Sequence, residues 1–119
     1  MNVAVIGASD KEDRYSNKAV KLLKAKGHQV YPVHKRIKEI DGQKVYASIN
    51  DVKDNIDTIT LYVAADISSE LSGELLGKDP KRIIFNPGAE NPQLAEDAKN
   101  RGIKALNACT LVLLNTGQF

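Results

Sequence analysis

The chain has 119 residues, 42% hydrophobic and 27% charged, the proportions of one ordinary globular domain. A net charge of +2, with basic and acidic residues interspersed, lacks the concentrated stripe of a nucleic-acid binder. A single cysteine, Cys109, excludes an intrachain disulfide and fits a reducing cytoplasm. No apolar run approaches a membrane span, and Met1 to Gly7 lacks the charged start of a secretory signal.

Val3-Ala4-Val5-Ile6 is apolar at every position, the pattern of a central parallel strand buried on both faces. A helix follows, with Ser16 as its cap, a body over Asn17 to Lys26, an apolar stripe of Ala19, Leu22 and Leu23, and Gly27 as its stop. Gln29-Val30-Tyr31-Pro32-Val33 reads as the second strand, with its proline near the terminus. Lys44-Val45-Tyr46-Ala47 reads as a short third strand at an edge, and Asp51 to Ile56 as room for one further helical turn. Thr58 to Val63 is the fourth strand. Ile67, Leu71 and Leu75 recur every fourth residue and predict a helix over about Asp66 to Leu76. Arg82 to Phe85 is the fifth strand. Asn91-Pro92 is a cap followed by proline in the first helical position; Leu94, Ala95 and Ala98 then face the sheet and Gly102 ends the helix. Lys104 to Leu106 is a short sixth strand, and Thr110 to Leu114 is a last docked helix or an apolar tail.

Strands alternating with helices imply an α/β, Rossmann-like doubly wound parallel sheet with helices on both faces. Right-handed crossovers give about five to six strands in the order 3-2-1-4-5-6. There is no internal repeat and no linker, so residues 1–119 read as a single domain.

In this architecture ligands bind beyond the carboxyl ends of the strands, where the strand order reverses. After the first strand, Gly7 permits a tight turn and Ala8 and Ser9 are small, so a phosphate can approach the start of the next helix. Ser9, Arg14, Tyr15, Ser16 and Asn17 are candidate donors to a pyrophosphate; the alternative is a plain solvated loop. The glycine pattern of dinucleotide-binding turns is incomplete, because Ser9 and Glu12 occupy the places of its second and third glycines. His34, Lys35 and Arg36 follow the second strand, where an NAD-binding domain carries an acidic residue for the ribose. Cations there favour a ribose bearing an extra phosphate, as in coenzyme A or NADP; the alternative is a solvated charged turn. Asn86-Pro87-Gly88-Ala89 offers a backbone-lined wall or a simple turn. The sequence shows no catalytic pair and no metal-ligand spacing.

Three stretches, taken in order, resemble the CoA-binding domain family, small stand-alone Rossmann-like proteins similar to the CoA-binding domain of the succinyl-CoA synthetase alpha subunit. They are Val5-Ile6-Gly7-Ala8-Ser9 with the polar loop through Arg14, Tyr15 and Ser16, then Val30-Tyr31-Pro32-Val33-His34, then Ile40 to Ile49, which follows the family's gly-x-x-val-tyr-x-ser-leu. Thr60-Leu61-Tyr62-Val63-Ala64 and Phe85-Asn86-Pro87-Gly88-Ala89 fall at the family's later strand ends. The resemblance implies that Gly7, Ala8, Ser9 and Ser16 meet a pyrophosphate. It implies that Pro32, Val33, His34 and Lys35 border the adenosine and its 3′-phosphate. Val63, Ala64 and Ala65 then flank the adenine or pantetheine path, with Asn86, Pro87 and Gly88 opposite. His34-Lys35 stands where many relatives carry Asn-Pro.

The function expected is a non-catalytic nucleotide-binding module whose small-molecule partner is coenzyme A or an acyl-CoA. The alternatives are an NADP-dependent enzyme and a regulatory or assembly domain with no tight ligand. The apolar segment Leu111 to Leu114 offers a route to a homo-oligomer, and neither nucleic acid nor a membrane is an expected partner.

Overall fold

The computed structural model describes every residue from Met1 to Phe119. Five parallel strands form one sheet: β1 (Asn2–Ile6), β2 (Gln29–Val33), β5 (Thr58–Leu61), β6 (Arg82–Phe85) and β7 (Lys104–Asn107). Their order is β2-β1-β5-β6-β7, so the chain winds outward from β1 to β2 and then returns to build the other half. The predicted third strand is reduced to one parallel bridge between Val33 and Tyr46. Tyr46 donates its N–H to the Pro32 carbonyl at 2.9 Å and accepts from His34 N–H at 2.9 Å, so it holds the edge position beside β2. The residues just before it are taken by a small antiparallel hairpin, β3 (Glu39–Ile40) with β4 (Gln43–Lys44).

Side chains alternate across each strand and divide the core in two. Val3, Val5 and Val30 pack on one face with Val20 and Leu23 of α1 (Tyr15–Ala25) and Leu114 of α5 (Thr110–Asn115). Ala4, Ile6, Ile59 and Phe85 face the other side, against Leu75 and Leu76 of α3 (Ser72–Gly77) and Leu94 and Ala98 of α4 (Pro92–Asn100). The C-terminal apolar segment is therefore a docked helix packed on α1. Thr110 and Leu114 are buried in it and Val112 is left 55% exposed.

The helix ends follow local chemistry with two departures from expectation. Asn91 caps α4 as predicted, its Oδ1 accepting from Leu94 N–H at 3.1 Å with Pro92 in the first turn. Ser16 does not cap α1: the helix starts two residues earlier than expected, at Tyr15, with Arg14 in the capping position, and Ser16 is buried in the first turn. The helix expected over 66–76 is α2 (Ala65–Glu70) joined to α3 through Leu71. Hydrogen bonds from Leu71 N–H to Ile67 and from Leu75 N–H to Leu71 run across the join. The break falls at Leu71, with φ −90° and ψ −2°, just before Ser72-Gly73, a pair of weak helix formers. No helix is long and apolar enough to cross a membrane.

Candidate functional site

The reversal of strand order lies between β1 and β5, and the chain leaves these strands at Gly7 and at Tyr62-Val63. Two cavities open there, and both are lined by Gly7, His34, Val63 and Ile67, so they form adjoining parts of one crevice. Gly7 has φ +84°, and a Cβ on it would meet Val63 Cγ1 at 2.7 Å. Only glycine allows the β1 turn to press against the β5 turn and leave the crevice open above them.

The first cavity, about 490 Å³, runs from the basic turn to the bent helix. Lys35 and Arg36 are exposed on its lip, and Ile49, Val63, Ile67, Leu71 and Leu75 make its walls apolar. Neither cation is held by a carboxylate; the two ion pairs of the chain both belong to Lys21, with Glu12 and Asp41, each at 3.6 Å. His34 has a different part. Its Nδ1 accepts from the N–H groups of Arg36 at 3.0 Å and Ile37 at 3.1 Å, which puts the ring proton on Nε2 and makes the imidazole the brace of the turn.

The second cavity, about 610 Å³, lies over the loop between β1 and α1. Ser9, Lys11, Arg14, Tyr15 and Ser16 line one side and Ala64 and Pro87 the other. The N–H groups of Gly7 and Ala8 are spent on the Val33 carbonyl, at 3.0 and 3.2 Å. Among the amides left without a protein acceptor are those of Ser9, Asp10 and the first turn of α1 (Tyr15, Ser16, Asn17). Together with the Arg14 guanidinium they turn a set of hydrogen-bond donors toward the second cavity at the start of α1. Asn17 is buried and works from below: its Nδ2 donates to the Ser9 carbonyl at 2.9 Å and ties the loop to the helix. On the floor, burial pushes the Tyr62 hydroxyl up to about 12, so it stays protonated.

Of the residues singled out from sequence, Gly7, Ala8, Ser9, Arg14, Tyr15, Ser16, Val33, His34, Lys35, Arg36, Val63, Ala64 and Pro87 meet along this crevice. The others are structural neighbours. Pro32 is buried within β2, beside Val5 of β1. Ala65 opens α2, its carbonyl accepting from Asn91 Nδ2 at 3.2 Å. Asn86 is a closed node: its Nδ2 donates to Thr60 Oγ1 at 2.7 Å and to the Leu61 carbonyl at 2.9 Å, and its Oδ1 accepts from Thr110 N–H at 2.8 Å. Gly88 turns away under Glu90, and Ala89 packs in the core. The sequence reading missed the far wall of the first cavity: Ala47 and Ser48 from the segment before β5, and Ile67, Glu70 and Glu74 from the bent helix. The every-fourth-residue repeat of Ile67, Leu71 and Leu75 was the available signal, but it marks a helix without saying which end of the stripe faces a ligand.

A family model described as a CoA binding domain matches residues 1–115. The chain is 30% identical over 124 residues to the ADP-forming acetate–CoA ligase of Methanocaldococcus jannaschii, an alignment covering 97% of this chain and 18% of the ligase. This chain therefore spans under a fifth of that relative's length. It superposes on the crystal structure of an uncharacterized protein with a TM-score of 0.93 at 35% identity, covering 99% of this chain and 97% of that one. A hypothetical protein from Pyrococcus horikoshii OT3 superposes with a TM-score of 0.89 at 30% identity, covering 96% and 81% respectively. On the match of the family model over residues 1–115, the chain belongs to the CoA binding domain family.

Proposed function

We propose that this domain is a non-catalytic module that binds coenzyme A, free or as a thioester. The observation that carries the reading is the pairing of two anion sites on one crevice. The unpaired Lys35 and Arg36 stand on the lip of the first cavity, and the free amides of Ser9, Asp10 and the α1 start stand in the second. Coenzyme A carries two phosphate groups in that relation, a 3′-phosphate on the ribose and a pyrophosphate beyond it. The basic turn suits the first, the helix start suits the second, and the apolar first cavity suits the adenine carried on the same ribose.

The small-residue turn fits such a ligand in its own right, since a side chain at position 7 would meet Val63 and force apart the two turns that line both cavities. The catalytic part of a ligase is not proposed for this chain. The alignment with the acetate–CoA ligase covers 18% of that enzyme.

Titration calorimetry of the ligand-stripped protein with coenzyme A, dephospho-coenzyme A, NADP and NAD tests the proposal. Binding of coenzyme A, weakened on loss of the 3′-phosphate, is the expected result. Binding of NADP without coenzyme A would move the assignment to a nicotinamide enzyme. Silence from all four would leave an assembly domain as the better account, with a mass that rises with concentration as its sign.

A further inference from the structure

The far wall of the first cavity carries a carboxylate that phosphate binding does not use. Ser48 donates its hydroxyl to Glu74 Oε1 across the gap between the segment before β5 and α3, and Ser48 Oγ itself accepts from Asn50 N–H at 3.1 Å. Glu74 is thus held at one oxygen by a residue that is itself held. Its other oxygen, Oε2, has no protein partner, and no lysine or arginine pairs with it. Glu70 lines the same cavity but is exposed on its rim, so Glu74 is the fixed group of the two. The cavity is therefore polarised, with cations at the Lys35-Arg36 lip, an apolar middle, and an acceptor-only group at the far wall.

We propose that Glu74, positioned by Ser48, selects adenine over 6-oxopurines by accepting a hydrogen bond from the 6-amino group of the base. The inference rests on the nucleotide reading of the crevice and deepens it. The 3′-phosphate and the base leave the same ribose, so a phosphate held at Lys35 and Arg36 puts the base in the cavity that these two residues border. An ionised carboxylate accepts and does not donate. The 6-amino group of adenine satisfies it, whereas the 6-carbonyl of hypoxanthine or guanine at the same place faces it lone pair to lone pair, and only a shift of the base that brings N1–H to Glu74 restores a donor.

Three ligands test this by calorimetry: coenzyme A, adenosine 3′,5′-bisphosphate and inosine 3′,5′-bisphosphate, which differ at position 6 or in the phosphopantetheine arm alone. The wild-type protein is expected to prefer the adenosine bisphosphate over the inosine one by roughly tenfold or more. In E74Q, whose amide both donates and accepts, that ratio falls to near one while the thermal midpoint stays close to wild type. Equal binding of the two bisphosphates to wild-type protein, with coenzyme A still bound, overturns the role of Glu74 and leaves the module reading intact. A preference that survives unchanged in folded E74Q also overturns it. Failure of coenzyme A and both bisphosphates to bind the wild-type protein overturns the module reading, and this inference with it. Should E74Q not fold, the wild-type ratio alone decides.

Discussion

Gly7 lies so close to Val63 that a Cβ on Gly7 would sit 2.7 Å from Val63 Cγ1 and 3.3 Å from the carbonyl carbon of Tyr62. The first contact is with a side chain that can turn away; the second is with backbone that cannot. The positive φ adds strain for any L-residue. G7A is expected to lose about 2 kcal/mol or more of stability in urea unfolding. The double variant G7A/V63A recovers only part of that loss, because removing Cγ1 relieves neither the backbone contact nor the φ. Full recovery in the double variant would show that the side chain alone demands glycine.

Lys35 and Arg36 make no ion pair within the chain, so replacing them leaves no carboxylate stranded. K35A/R36A is therefore expected to keep its fold and to lose coenzyme A affinity by about tenfold, the scale of one or two solvent-exposed charge-assisted hydrogen bonds. Dephospho-coenzyme A, which lacks the 3′-phosphate, should change far less. Parallel losses for the two ligands would mean that the turn does not read the extra phosphate. Raised salt should shrink the difference between the ligands, since exposed charges are screened.

Asn86 joins β5, β6 and the start of α5 through three hydrogen bonds, two donated by its amide and one accepted from Thr110 N–H. Thr60 and Thr110 complete the node, their hydroxyls 2.7 Å apart in the buried core. N86A leaves the buried Thr110 N–H without an acceptor and takes one donor each from Thr60 Oγ1 and the Leu61 carbonyl, and it is expected to cost about 3 kcal/mol. The affinity of the remaining folded protein for coenzyme A should stay within about twofold of wild type, because the side chain faces the core. A large loss of affinity at unchanged stability would return Asn86 to the binding surface.

The parts of this molecule that the sequence made legible are those governed by short-range pattern. Val3 to Ile6 reads as a central strand because a parallel strand covered on both faces must be apolar at every position. Its order in the sheet then places Gly7, His34 to Arg36 and Val63 at one end. What escaped is set by tertiary packing. Tyr46 keeps its place beside β2 through a single bridge, while its neighbours pair with one another in a hairpin. The imidazole of His34 belongs by composition to a cationic cluster, yet its Nδ1 is an acceptor for two amides, a role that only the path of the turn decides. Ser48 and Glu74 are 26 residues apart and meet only because the bent helix folds back over the segment before β5. Asn86 stood at the correct strand end, but the direction of its amide, inward to Thr60 rather than outward, follows from α5 docking beneath it.

His28 is expected to contribute to the loss of stability on acidification. Its pKa is lowered from 6.5, first by burial and then by the chain's N-terminal ammonium and Arg82. The ammonium lies 3.2 Å from its Nδ1, and the ring packs edge-on to Phe119 with centroids 5.2 Å apart. The folded state therefore binds a proton at this site less readily than the unfolded state. Unfolding takes up a proton once the pH falls below 6.5, so stability that is fully present above that pH is lost on acidification until the depressed folded pKa has been passed. The site is partly open to water, so the effect is a shallow slope. H28Q keeps a polar side chain without a titrating group. Its urea midpoint is expected to fall less than that of wild type between neutral pH and the onset of carboxylate titration. Identical slopes in the two proteins would place the acid sensitivity on other groups, and a steeper slope in H28Q would mean that His28 is stabilised by protonation, contrary to the cationic surroundings seen here.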